Sequence, residues 1–353
     1  MSPVGEATLS VRRSGDVRRV DVFDDGACAA AFAVLEASHR KDRPWDDHDG
    51  YHGTVLEWRY DDAAEPMEMW AAYEAEDCAA VLQVWYPQDD NTDKLWAELA
   101  VHPDYRRRGL GTALTRHVEV RAREEGRHEI LLESFVPPEA DGAHPHERFA
   151  AATGFVMEST DKVRLLDLPV SEELLDDLAE AARPRWVDAY TVETYVDGLP
   201  DELVQGYCRV SNLLAVDAPT GAVEYEEESL TPQRYQAYLD VERRQGRTRL
   251  TTVAVTKEHR EVVGYTDLVL PSGAPTKGWQ GGTLVDGAHR GHRLGTAIKV
   301  ENVRVLQRDY PERTVVSTGN DETNSYMVDI NVRLGFRLVE LCRMYRKVLP
   351  ALG

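Results

Sequence analysis

Hydrophobic and polar positions along the chain follow two periods. Positions 17–23, 67–73, 79–86 and 95–101 read as strands, the last three consecutive and antiparallel across acidic turns. After Val101 the period changes. Leu110, Ala113, Leu114, Val118 and Ala122 recur at three- and four-residue spacing, the stripe of an amphipathic helix, with Arg116, Arg121 and Arg123 off it. Between strand and helix lie His102-Pro103, where proline ends a ladder strand, and the run Arg106-Arg107-Arg108-Gly109-Leu110-Gly111. The local order is strand, basic glycine loop, helix.

Around this segment, Asp24-Asp25-Gly26 turns into an alanine-rich helix up to about His39, and 41–52 reads as a loop. A strand is predicted at 130–135, and another at 163–168 closes the first sheet. Ser171-Glu172-Glu173-Leu174 has the form of a capping box and opens a polar helix ending near Pro184. In the second half the pattern predicts a start at 187–196, a helix over 203–216, an acidic patch at 224–229, and a helix from Thr231-Pro232 through Arg244. A hairpin of 249–255 and 262–270 follows, then strand 281–285, helix 294–308, strand 314–318, helix 324–334 and last strands over 338–348. This places a first module at 1–169, a linker helix at 170–185 and a second module at 186–353.

The two halves repeat one layout. Thr283-Leu284-Val285-Asp286-Gly287-Ala288-His289-Arg290-Gly291-His292-Arg293-Leu294-Gly295 echoes the first loop, with Val285 five residues before Arg290 as Val101 stands five before Arg106. Arg106 and Arg290 are 184 residues apart, and Gly154-Phe155 and Gly335-Phe336 are 181 apart. Two landmarks at nearly one offset indicate an internal duplication.

The loop has a chemical reading. The first turn of a helix leaves backbone N–H groups unpaired and carries the positive end of the dipole, so it receives an anion. Glycines at 109 and 111 are expected to let a phosphate approach the backbone, and Arg106, Arg107 and Arg108 to attract it. The chain otherwise carries 41 Lys plus Arg against 62 Asp plus Glu, a net charge of −21, which disfavours nucleic acid and anionic lipid and favours cationic partners. No apolar run is long enough to span a bilayer, and residues 1–11 lack the apolar core of a signal peptide, so a cytoplasmic location is expected. Cys28, Cys78, Cys208 and Cys342 have no metal or disulfide spacing, and His48, His52, His144 and His146 fix no third ligand; no metal site is expected.

Arg106-x-x-Gly109-x-Gly111 after Leu99-Ala100-Val101-His102-Pro103, with Phe149-Ala-Ala-Ala-Thr-Gly154-Phe155 downstream, resembles the acetyl-coenzyme A signature of the GNAT superfamily of N-acetyltransferases. The second half resembles it through residues 289–299 and through Asn320-x-x-x-Asn324 followed by Gly335-Phe336. The resemblance covers nearly the whole chain as two modules in tandem, an arrangement similar to that of mycothiol synthases. It implies an α/β (α+β) protein of two tandem GNAT folds, each a mixed, largely antiparallel sheet flanked by helices. It also implies that coenzyme A lies along Leu99, Ala100 and Val101, or Leu284 and Val285, by strand addition. Its pyrophosphate would then meet Arg106 to Thr112, or Arg290, Gly291, His292, Arg293, Leu294, Gly295 and Thr296, with Asn320 and Asn324 as further contacts.

Glu98 is the expected general base, since alternation puts it on the face opposite Leu99 and Val101; the matching position in the second module is Gly282. The tyrosine that relatives often carry four residues before Gly-Phe is replaced by Ala150 and Asn331, and Tyr326 is the remaining candidate acid. Where relatives place a coenzyme-contacting asparagine, the first module has Ala143. The expected function is acetyl transfer from acetyl-CoA to a primary amine of a small, cationic, antibiotic-like molecule. The alternatives are a non-catalytic acyl-CoA sensor and a protein lysine or N-terminal acetyltransferase.

Overall fold

The structure is a computed structural model and describes residues 16–46, 49–140, 144–214, 225–226, 230–321 and 325–350. Residues 1–11, His48, Ala143, Asn324 and most of 224–229 lie outside the described residues.

The first half runs β1 (Asp16–Arg19), α1 (Asp25–Asp42), α2 (Tyr51–Arg59), β2 (Met67–Glu74), β3 (Asp77–Trp85), β4 (Lys94–Val101), α3 (Leu110–Glu124), β5 (Glu129–Val136), α4 (Pro145–Ala152) and β6 (Val156–Asp167). After α5 (Glu172–Ala182) the same order returns. It runs β7 (Tyr190–Val196), α6 (Asp201–Asn212), α7 (Pro232–Arg244), β8 (Arg247–Thr256), β9 (Val262–Pro271), β10 (Lys277–Val285), α8 (Leu294–Asp309), β11 (Val315–Asp321), α9 (Ser325–Leu334) and β12 (Arg337–Val348). Both predicted N-caps form, but the capping box expected at Ser171 does not, because its third helical position is Leu174, with no side-chain acceptor to return the bond. Ser171 accepts from Leu174 N and Thr231 from Arg234 N, each satisfying a first-turn donor. No helix among the described residues is long and apolar enough to cross a membrane.

The strands form one sheet in the order β1-β2-β3-β4-β5-β12-β6-β11-β10-β9-β8-β7. The predicted strand at 163–168 therefore does not close the first sheet. β6 pairs with β11 from Asp161 to Asp167 and with β12 on its other side, while β12 pairs with β5 along Glu129–Val136. Each half hands its final strand to the other. Alternation sets which face of a strand is buried and leaves its neighbour open, which is why the pattern missed this exchange. Its consequence is local: β12 carries Cys342 and Tyr345 into the first half.

Helices cover both faces of the first half. Leu114, Val118 and Ala122 of α3 pack on Leu82, Val84, Leu95, Ala97 and Ile130. Val34 of α1 and Val55 and Trp58 of α2 pack with Met69, Ala71 and Val81 on the other face. β1 is shorter than predicted: Val20 N still reaches Met69 O, but Asp21 then turns the chain by accepting from Phe23 N. α2 follows the predicted 41–52 loop, and backbone contact with the second half holds its first turn. Gly50 N donates to Gly273 O at 2.8 Å, and a Cβ on Gly53 would lie 2.6 Å from Gly273 Cα.

That contact gives a diagnostic sign. In an exposed helix, glycine to alanine adds about 1 kcal/mol of stability; here Gly53→Ala is expected to cost about 1–3 kcal/mol by overpacking. A urea melt reads it. A raised midpoint would mean the two backbones do not meet.

Candidate active site

β4 and β5 run parallel and in register from Lys94 and Glu129 to Ala97 and Leu132, and the pairing stops there. From Glu98 and Glu133 onward the strands diverge around a cavity of about 1310 Å³. Both halves line it. Alongside β4, β5 and the following loop and helices stand Asp161 and Val163 of β6, Lys277 and Trp279 of β10, Ser317 and Gly319 of β11, and Cys342 and Tyr345 of β12.

Alternation sorts the cavity walls. Leu99, Val101 and Leu132 pack under α3, whereas Ala100 packs on the α1 and α2 side. Glu98 and Glu133 therefore share the α1 and α2 side. Glu98 is exposed where it lines the cavity, yet protein packs closely around it. That partial desolvation, reinforced by Glu133 and Glu57 against the opposing charge of Arg43, pushes its carboxyl up to about 7. Trp58 Nε1 donates to Gln83 Oε1 at 2.7 Å, which turns the Gln83 amide so that Nε2 faces Glu98 Oε2 at 3.4 Å. Glu133 is likewise exposed to the cavity and raised by the protein packed around it, and burial together with Glu133 drives the Cys342 thiol far above its ordinary value, so this cysteine stays protonated. Asp49 on the same wall is raised to about 6, first by burial and then by Glu57.

The wall is braced from the second half. Arg43 Nε and Trp45 Nε1 both donate to Glu340 at 2.9 Å, Lys277 pairs with Asp46, and Arg247 pairs with Glu57 at 2.6 Å.

The loop after β4 divides its labour. Arg106 donates to Val101 O at 3.0 Å and grips Asp42 at 2.6 and 2.8 Å, so it holds α1 to the loop. Arg108 pairs with Glu74 at 2.6 Å and lies over the Tyr105 ring. Arg107, at φ 67°, makes no hydrogen bond or ion pair among the described residues and lines the cavity. Of the three arginines expected to attract an anion, Arg107 is the one whose side chain is unpaired among the described residues. The two glycines also differ. Gly109 at φ 88° is the N-cap of α3, where no side chain caps the helix. Gly111 instead makes room for Phe149, whose ring would lie 3.1 Å from an added Cβ. The uncapped amides at the start of α3 and the unpaired inner edge of β4 beyond Ala97 fit a pyrophosphate and an extended pantetheine arm.

Leu99, Ala100, Val101, Arg106, Arg107, Gly109, Leu110, Gly111 and Thr112 thus line one cavity with Glu98, while Arg108 does not line it. The second loop repeats the geometry: Arg290 Nε donates to Val285 O at 3.2 Å, and Arg293 takes φ 59° at the uncapped N-cap of α8. Leu284, Val285 and residues 290–296 lie away from the large cavity. Where the first half has Thr115 and Ala150, the second has Lys299 and Asn331. Lys299 is 2% exposed and donates to Asn331 at 2.8 Å, and Asn331 donates to Asn320 at 2.6 Å. Burial lowers Lys299 to about 7. Asn320 is thus engaged within the fold, and Asn324 lies outside the described residues. Tyr326 is 84% exposed on α9 and is not brought to the cavity.

Sequence reasoning missed Gln83, Glu133, Ser134 and the second-half residues Lys277 and Trp279, none of which sits in a motif. It weighed His144 and His146 only as metal ligands. His144 instead caps α4 in a capping box with Glu147, and His146 faces Ser134 and Asp42.

Residues 32–149 match the model of the acetyltransferase (GNAT) family. No curated protein matches the sequence. Among solved structures, the chain is similar to a tandem GNAT protein from the clavulanic acid biosynthesis pathway, at 24% identity and a TM-score of 0.77 over 95% of this chain and 99% of that one. It is also similar to a GCN5-related N-acetyltransferase from Sphaerobacter thermophilus (19%, TM-score 0.62, 96% of each chain). A third likeness is to Saccharomyces cerevisiae N-myristoyltransferase with bound myristoyl-CoA (12%, TM-score 0.56, 99% of this chain and 82% of that one). The family match is thus confined to residues 32–149, and the chain as a whole has the fold of a tandem GNAT protein.

The raised carboxyl of Glu98 has a consequence for stability. Its folded value of about 7 lies above the ordinary unfolded value of about 4.3, so the folded state holds the extra proton between them. Wild-type stability should therefore fall, relative to Glu98→Gln, as pH rises from about 4 to about 7, and stay lower above that. Because Glu98 is exposed in the cavity, solvent screening keeps this loss smaller than full burial would give. Thermal melts of both proteins across this range read it, and a difference that stays constant with pH would show that Glu98 ionises normally.

Proposed function

We propose that the chain is an acetyl-CoA-dependent N-acetyltransferase that transfers its acetyl group directly to a primary amine of a small cationic molecule. The observation that carries this reading is Glu98, a carboxylate raised to about 7 at the point where β4 and β5 part, immediately before the loop that opens α3. The reading takes 1–169 and 186–353 as two modules joined by the 170–185 helix, the first being the working one. It places the protein in the cytoplasm, where the four free cysteines stay reduced.

The bound thioester supplies an activated acyl group; the protein supplies position and proton transfer. Leu99 and Ala100 offer backbone groups on the unpaired side of β4, and the start of α3 with Arg107 meets the pyrophosphate. Asp49, Glu57, Glu98 and Glu133 make one wall of the cavity acidic, which favours a cationic acceptor. Glu98 takes the proton that the amine must lose as it attacks, and a value near 7 suits a base working near neutrality. Holding the reactants together in a cavity shared by both halves accounts for much of the remaining rate.

The test follows thiol release from acetyl-CoA with and without a panel of polyamines and amino sugars. Release should depend on amine, rise with pH through about 7, and fall by about 10²–10⁴ in kcat for Glu98→Gln. Coenzyme binding without amine-dependent release would replace this reading with the acyl-CoA sensor. Release with peptide amines alone would replace the small-molecule acceptor with a protein.

A further inference from the structure

Direct transfer leaves a thiolate that needs a proton, and Glu98 faces the other way. Alternation along β5 puts Ser134 on the same face as Leu132, the α3 side, where coenzyme A would run under the proposed function. Ser134 is the second residue beyond the last β4–β5 pair and lines the cavity. Its Oγ lies 3.3 Å from His146 Nδ1, and His146 Nε2 lies 3.4 Å from Asp42 Oδ2. The imidazole is set by the first turn of α4, whose capping box joins His144 and Glu147. Asp42 is fixed in turn by the double contact with Arg106. Burial alone would raise the Asp42 carboxyl, but His146 and Arg106 outweigh it and hold it well below the usual carboxylate range. His146 also faces the His144 ring at 4.6 Å, with Glu147 and Arg148 beside it on α4 and Arg343 of β12 paired to Glu147.

We propose that Ser134, His146 and Asp42 form a proton relay to the departing thiolate, with Ser134 the catalytic residue and the other two positioning residues. The inference rests on the acetyl-transfer reading. The amine nitrogen bonds to the acyl carbon, the carbon–sulfur bond breaks, and its electron pair stays on sulfur. Ser134 gives its hydroxyl proton to that sulfur and takes one from His146 Nδ1, while Nε2–H remains on Asp42. Glu98 holds the proton lost by the amine and releases it to water, and His146 takes one up. One proton leaves the acceptor and one arrives on the thiol.

The experiment is a pH titration of free coenzyme A bound to wild type, Ser134→Ala, Ser134→Thr and His146→Gln, following the ultraviolet absorbance of the thiolate, with kcat measured on the same proteins. A hydrogen-bond donor at the sulfur favours the thiolate. The bound thiol should therefore ionise at lower pH in wild type than in free solution, shift back upward in Ser134→Ala and His146→Gln, and recover in Ser134→Thr. kcat should fall by about 10²–10⁴ in Ser134→Ala, with coenzyme affinity nearly unchanged. Binding with a titration identical in all four proteins overturns the relay and leaves acetyl transfer standing. Failure of coenzyme A to bind wild type overturns acetyl transfer, and the relay with it.

Discussion

Two parallel strands that pair for four residues and then separate are the constraint on which the rest of the site depends. While β4 and β5 are hydrogen-bonded, from Lys94 to Ala97, their side chains serve the core. Beyond Ala97 the same alternation becomes a sorting device. Glu98 and Glu133 fall on the α1 and α2 side, Leu99, Val101 and Ser134 on the α3 side, and β4 keeps an edge that no strand among the described residues pairs. One geometric event thus separates an acidic wall from the wall along which the proposed coenzyme would run and leaves backbone groups between them.

The second half undergoes the same event and uses it differently. β10 and β11 pair in parallel only from Lys277 to Trp279, and a bulge follows between Gln280 and Thr283. Gly282 stands where the first half has Glu98, and the buried chain Lys299-Asn331-Asn320 fills the region matching Thr115 and Ala150. This half also supplies Lys277, Trp279 and the exchanged β12 to the first cavity, and its Glu340, Arg247 and Gly273 brace the wall around 43–57. It acts as a structural partner of the first site. The exchange of β6 and β12 makes the hydrogen-bonded sheet continuous through its centre.

Much of this was legible in the chain. Periodicity located the strands around the first loop, and caps at Ser171 and Thr231 located two helix starts, because those signals are local. The duplication and the loop grammar led to Glu98, to Leu99, Ala100 and Val101, and to Arg106 through Thr112, of which the structure gathers all but Arg108 around one cavity. What escaped was non-local. No pattern within 163–168 says that its neighbours are β11 and β12, and nothing near Ser134 says that His146 and Asp42 will meet it. Local spacing also could not tell that Arg106 and Arg108 are paired within the fold while Arg107 has no hydrogen bond or ion pair among the described residues, or that Gly111 packs against the Phe149 ring. Tyr326 was reached by spacing along α9 alone, and that helix turns it outward.

The most direct test of the central claim, that the first module holds the coenzyme, is calorimetric titration of acetyl-CoA into wild type, Gly109→Glu and Gly295→Glu. The account predicts binding to wild type and Gly295→Glu, and its loss in Gly109→Glu, where a side chain and a negative charge would occupy the N-cap of α3. Loss of binding in Gly295→Glu alone would contradict it and move the working site to the second half.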